Sequence, residues 1–184
     1  MGQMRRGAIP CLWSLAVWLA CCVVAACYAS PMDQQASEYE VKSAFLLNFI
    51  KFVEWPTAQA GLDAPFAICI LGYDPFGRVL DRMVDGEIGG GRRVVVQRTS
   101  RPLPETCRVL FAGRDEKGLR DVLARPMPGV LTVGEGDAFL KEGGMIAFIL
   151  ENRRVRFDIN QEAARRAGLR ISSKLLSVAR YVAK

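Results

Sequence analysis

Apolar residues recur along this chain at two spacings, and the spacing switches several times between residue 37 and the C-terminus. The first segment carries the helical repeat. Ser37 stands as an N-cap, Glu38 and Glu40 fill the first turn, and Val41, Phe45, Asn48 and Phe52 follow at helical intervals. Leu46 and Phe49 widen that apolar face, and Pro56 ends the segment after Glu54-Trp55. Core packing is the default role of these aromatics, although Trp55 beside a proline also suits a surface anchor. Phe66 to Leu71 is a continuous apolar run of strand length, followed by the turn Gly72-Tyr73-Asp74-Pro75 and a helix from Phe76 to about Val84. Past the glycines of Gly86 to Gly91, the β-branched run in Arg92-Arg93-Val94-Val95-Val96 predicts a second strand. Val109 to Gly113 predicts a third, Arg114 to Ala124 a helix, Val130 to Val133 a fourth strand, Asp137 to Lys141 a helical turn, and Met145 to Leu150 a fifth strand.

Strands that alternate with helices predict an α/β three-layer sandwich, its sheet mixed but largely parallel and covered on both sides. The end of the chain departs from that rhythm. Met145 to Leu150 and Val155 to Ile159 are separated only by Glu151-Asn152-Arg153-Arg154, which predicts an antiparallel hairpin. Asn160 caps a helix from Gln161 to Ala167, Gly168 stops it, and Ser172-Ser173 opens a last helix over Lys174 to Val182. At 184 residues and 51% hydrophobic content, one core suffices, so a single domain over residues 30–184 is expected.

Residues 1–29 read as a leader. Arg5 and Arg6 precede an apolar run from Cys11 to Ala29, the charged and apolar regions of a secretory signal, with a cleavage point ahead of Ser30. Val24-Ala25-Ala26-Cys27 also matches a lipobox, which would leave the protein tethered through a lipidated Cys27, and the run is nearly long enough for an uncleaved anchor. Each reading exports the protein to the periplasm. In that oxidising compartment the two remaining cysteines, Cys69 and Cys107, read as a disulfide, each lying in or beside an apolar run; two neighbouring buried thiols are the alternative.

Charge and composition narrow the chemistry. The formal charge of +6 falls to +4 once the two leader arginines are set aside, and no basic stripe with interleaved aromatics exists, which argues against nucleic acid. Arg92-Arg93, Arg153-Arg154 and Arg165-Arg166 read as solvated faces. Histidine is absent, so the usual base near neutral pH, the commonest metal ligand and the middle member of Ser/His/Asp relays are all missing. Gly72 to Gly77 occupies the place of a phosphate loop but lacks its Lys-Ser/Thr ending, and reads as a turn capped by Asp74. Gly89-Gly90-Gly91 reads as a hairpin or loop. Asp81/Asp85 and Glu135/Asp137 have no nucleophile beside them, and the serines of Ser172-Ser173-Lys174 sit where an N-cap is needed. No enzyme, metal or cofactor is expected.

Three stretches carry a family likeness. Glu40-Val41-Lys42-Ser43-Ala44-Phe45-Leu46-Leu47-Asn48-Phe49-Ile50-Lys51-Phe52-Val53-Glu54-Trp55-Pro56, then Leu71 to Gly77, then Ile159-Asn160, Ala163-Ala164, Gly168-Leu169 and Ile171 to Leu176 together resemble the YfiR-type periplasmic proteins. The resemblance implies a repressor that binds the periplasmic sensor region of an inner-membrane diguanylate cyclase of YfiN type and lowers cyclic-di-GMP output. It also implies sequestration by an OmpA-like outer-membrane lipoprotein, a redox-sensitive homodimer, and a family disulfide at the positions of Cys69 and Cys107. Some members carry a second cysteine pair near Met145 and Asn152, which this chain lacks. Exposed members of the set Phe139, Arg153, Arg154 and Arg156 are the candidate partner contacts. A small-ligand sensor working with a histidine kinase is the alternative, its ligand at Gly72 to Gly77.

Overall fold

The computed structural model describes residues 31–56, 64–113 and 116–184. The leader and Cys27, like the start of the helix expected at Arg114, lie outside the described residues. The chain divides into two compact units, Met1–Gln35 and Ala36–Lys184, and every strand among the described residues lies in the second.

The long helix α1 (Pro31–Phe52) runs into a two-residue strand, β1 (Val53–Glu54). Strand β2 (Phe66–Leu71), helix α2 (Arg78–Val84), the short strand β3 (Ile88–Gly89) and strand β4 (Arg92–Thr99) follow. After them come β5 (Cys107–Ala112), α3 (Leu119–Leu123), β6 (Leu131–Glu135), α4 (Ala138–Lys141), β7 (Ile146–Glu151) and β8 (Arg154–Asn160). The chain closes with α5 (Gln161–Arg166), β9 (Arg170–Ile171), α6 (Ser173–Val178) and β10 (Tyr181–Ala183). Eight strands form one sheet in the order β10-β8-β7-β6-β5-β2-β4-β3, while β1 and β9 pair separately and antiparallel. All neighbours in the large sheet run parallel except β7–β8 and β3–β4. The expected three-layer α/β sandwich is therefore present, with its C-terminal hairpin.

Two cores, one on each face, follow from strand alternation. Phe66, Ile68 and Ile70 of β2 face α1, α2, α5 and α6, together with Val109 and Phe111 of β5. Ala67, Cys69 and Leu71 face the opposite way, toward Leu119 and Val122 of α3 and Phe139 of α4. Because β2 and β5 are covered on both sides, every one of their residues is buried, which is why they read as unbroken apolar runs.

The structure corrects four sequence expectations. Helix α1 begins six residues before the expected cap, at Pro31, and its buried face is turned from the predicted one. Leu46, Phe49 and Ile50 are buried with Lys42 and Ser43, whereas Val41, Asn48 and Phe52 are exposed. Two polar side chains thus occupy core positions, and they hide the true helical stripe from a hydrophobic count. The last helix stops at Val178, and Tyr181–Ala183 instead adds a parallel edge strand beside β8. The helix expected over Arg114 to Ala124 is confined, within the described residues, to Leu119–Leu123. Phe139 lies in the core and leaves the set of surface contacts.

Candidate functional site

The β7–β8 hairpin turns on two residues, Asn152 and Arg153, with φ of 49° and 61°. Both angles lie in the left-handed region that a two-residue turn of primed type demands, because only that twist matches the flanking strands. Asn tolerates it. Arginine does not, and holding Arg153 there costs on the order of 1 kcal/mol relative to glycine. The base of the hairpin supplies the rigidity: Phe148 opposes Phe157, and both rings lie within about 6 Å, centroid to centroid, of Phe45 and Phe49 of α1. Beyond that anchored base the tip carries Arg153, Arg154 and Arg156, all exposed, and the exposed apolar side chain of Leu150. Arg154 stands opposite Glu151 and Arg156 opposite Ile149.

Just below the tip lies a second arginine, of different character. Arg180 donates to both carboxylate oxygens of Asp158, at 2.9 and 2.5 Å, and to Asp137 at 3.1 Å, with Glu151 at 3.6 Å. Asp158 is buried, so this fork ties the C-terminal strand β10 to β8. Arg180 is thereby neutralised, and the free positive charge of this end belongs to Arg153, Arg154 and Arg156.

Other sequence-flagged groups take structural roles. Phe139 is clamped between Gly134 and Gly144, where an added Cβ would come within 2.2 and 2.1 Å of its ring. In the Gly72 to Gly77 turn, the Asp74 carboxylate accepts from the backbone N–H of Phe76 and Gly77. The donors that would cradle an anion already have a partner. Arg98 locks the same turn, donating to Asp74, to both oxygens of Asp81 and to the carbonyl of Gly77. Ser172 caps α6 through Leu175 N–H, Asn160 caps α5 through Ala163 N–H, and Arg165 and Arg166 pair with Glu162. Among the described residues no group of three or more His, Cys, Asp and Glu side chains is placed to hold a metal.

Cys69 and Cys107 form a disulfide, with Cα atoms 5.8 Å apart. A β-bulge brings them together. The pairing of β2 with β5 slips between Ala67↔Cys107 and Ile68↔Val109, so Arg108 is the extra residue. Without that slip Cys107 would share the face of Val109 and Phe111; with it, Cys107 joins Cys69 on the other. The Arg108 guanidinium donates to the carbonyls of Glu105 and Cys107 and so braces the bulge.

One constellation had no sequence signal. Lys42 of α1 is buried and pairs with Glu135 at the end of β6 at 2.5 Å, and also with Glu38. Tyr39 donates to the same Glu135 oxygen at 3.1 Å, and its ring lies 4.3 Å from the Lys42 ammonium. Burial first, and the Glu135 charge second, push the Tyr39 hydroxyl well above the usual phenol range. The partners are 93 residues apart, and only the fold joins them.

A family model described as YfiR/HmsC-like matches residues 39–180, from the Tyr39 cluster to Arg180. The chain belongs to the YfiR/HmsC-like family. That family is regulatory rather than catalytic, in keeping with a surface built to present charge. A solved structure of a conserved domain protein from Vibrio cholerae O1 biovar El Tor is similar in fold, with a TM-score of 0.51 and 10% identity. The likeness covers 78% of this YfiR/HmsC-like chain and 60% of the Vibrio protein's length. No helix among the described residues is long and apolar enough to cross a membrane.

Proposed function

We propose that this protein is exported to the periplasm and represses an inner-membrane signalling protein, a diguanylate cyclase, by binding its periplasmic sensor region through Arg153, Arg154 and Arg156. A second copy of the chain and an OmpA-like outer-membrane lipoprotein complete the proposed set of partners. Family membership supports regulation over catalysis. The disulfide fits an oxidising compartment. The observation that carries the choice of surface is Arg153 itself, an exposed arginine kept in a conformation that glycine adopts freely. Backbone strain of that kind concentrates where function requires it. Repression then needs only that the arginine tip fit the inactive conformation of the sensor region better than the active one, since a ligand shifts an equilibrium by its differential affinity.

Capture of membrane proteins on the immobilised protein tests the reading. The wild type is expected to retain a membrane signalling protein with a periplasmic region, and the triple variant Arg153→Glu, Arg154→Glu, Arg156→Glu to lose it with its far-UV circular dichroism unchanged. Arg153→Gly separates strain from function. It is expected to raise stability by about 0.5–1 kcal/mol while weakening capture. Failure to recover any membrane signalling protein, or equal capture by the triple variant, would remove the proposal.

A further inference from the structure

At the end of the sheet away from the arginine hairpin, the outer edge of β4 is open among the described residues. Its inner side pairs with β2 along Val94–Thr99, but on the outer side β3 reaches only Arg92 and Arg93. The backbone phase is fixed at two points: Val94 N–H donates outward to the carbonyl of Glu87 at 2.9 Å, and the Thr99 carbonyl accepts inward from Gly72 N–H. In a parallel pair alternate residues turn their amide and carbonyl the same way, so Val96 and Arg98 face outward with Val94. Among the described residues, the Val94 carbonyl, both backbone groups of Val96 and the Arg98 N–H have no hydrogen-bond partner.

This edge lacks the usual protection. Val94-Val95-Val96-Gln97-Arg98-Thr99 has neither proline nor lysine, and its one charged side chain is turned away to Asp74 and Asp81. Beside it runs a groove of about 420 Å³ whose walls are Val84 and Val94 to Val96, with Asp81, Arg82, Asp85 and Arg93 at the rim. Asp81 is held by Arg98, whereas Arg82, Arg93 and Asp85 form no ion pair among the described residues. The floor is aliphatic, and with two free arginines against the one free carboxylate of Asp85 the rim keeps a net positive charge.

The geometry points to β4 as a strand-addition site for an extended partner segment with alternating aliphatic side chains and acidic ends. A residue set opposite Val96 would exchange two main-chain hydrogen bonds with it. Its side chain would fall on the Val96 face of the sheet, over Val84 and Val96. Acidic residues at the ends of the segment would meet Arg82 and Arg93. The site is separate from the hairpin, so loss of cyclase capture in the hairpin variants leaves it standing.

The probe is a fluorescein-labelled, capped hexapeptide, Glu-Val-Thr-Val-Thr-Glu, titrated with the purified protein by anisotropy. Val96→Pro removes one outward N–H that β2 does not use, so the sheet keeps its inner ladder. Binding is expected, weakened about tenfold or more by Val96→Pro and by N-methylation of the peptide's two valine amides. Should Val96→Pro fail to fold, the rim variant Arg82→Glu, Arg93→Glu is expected to give a similar loss, while the hairpin triple variant gives none. Absence of binding, equal affinity for the N-methylated peptide, or a dimer of the protein that Val96→Pro dissolves would overturn the assignment. The last result would put a second copy on the edge in place of a partner segment.

Discussion

Individual charged residues in this protein divide by burial, and burial sets what each contributes. Lys42 and Glu135 are nearly inaccessible, and because Lys42 is the cation paired with Glu135, removing it leaves the Glu135 carboxylate uncompensated in the core. Lys42→Met is expected to lower unfolding free energy by about 3 kcal/mol in urea titrations, and Lys42→Met with Glu135→Gln to recover much of that loss. A double variant no more stable than the single would show that the pair is not the unit that matters. Arg98 and Asp81 are the exposed counterpart, each with about 40% of its side chain in water. Screening limits such a pair to about 0.5–1 kcal/mol. The Arg98 hydrogen bonds hold the Asp81 carboxyl below the ordinary carboxylate range. A depressed folded pKa gives stability that is present above the unfolded value near 4 and is lost as pH falls through the folded one. Asp81→Asn is therefore expected to cost stability at pH 7 and almost none at pH 2, as urea midpoints at the two pH values would record.

At the scale of elements, α4 shows how packing overrides surface logic. Phe139 has the look of an exposed anchor on a short helical turn, yet it inserts between two glycines. Gly144→Ala is expected to lose about 1–3 kcal/mol through overpacking, and Phe139→Leu to restore part of that in the same background. Rescue would fail if Gly144 served only backbone freedom. The central strands were readable because continuous apolar runs leave little choice when both faces are covered. The same holds for the Asn160 and Ser172 caps, whose residues are chemical signals in themselves, and for the hairpin, legible from the short gap between its two apolar runs. The strands β1, β9 and β10 have two or three residues each, form only through distant partners, and leave no periodicity to find, while β3 is a two-residue strand turned back onto β4 across Gly90-Gly91. The stripe of α1 was misread for a related reason: Lys42 and Ser43 look solvent-facing until Glu135 and the Tyr39 carbonyl receive them. The arginine tip was legible by position, whereas the strain at Arg153 and the open edge of β4 required coordinates.

For the molecule as a whole, the decisive placement is that of the disulfide, between two central strands of the sheet. Closing a loop of 38 residues stabilises a chain by about 4 kcal/mol in the entropy model, so Cys69→Ala with Cys107→Ala is expected to lower unfolding free energy by roughly that amount. The same placement bears on redox sensitivity. Both sulfur-bearing residues are at most 1% exposed, beneath Leu119 and Val122, and a reductant reaches them only when α3 lifts from the sheet or β2 and β5 part. Leu119 and Val122 anchor α3 in the second core and the strands lie at the centre of both, so either opening gives up buried packing. Millimolar dithiothreitol is therefore expected to leave the bridge intact for hours in native buffer and to cleave it within minutes in guanidinium, followed by mass spectrometry of thiol-alkylated samples. Rapid cleavage of the folded protein would instead require a local opening, either of α3 or at the Arg108 bulge, the one point where the ladder between the two strands is broken. Arg108→Ala, which removes the brace on that bulge, would then accelerate reduction without a matching fall in global stability. If native reduction is slow in both proteins, the bridge is a structural staple, and any regulation of this chain by reductants has to act elsewhere.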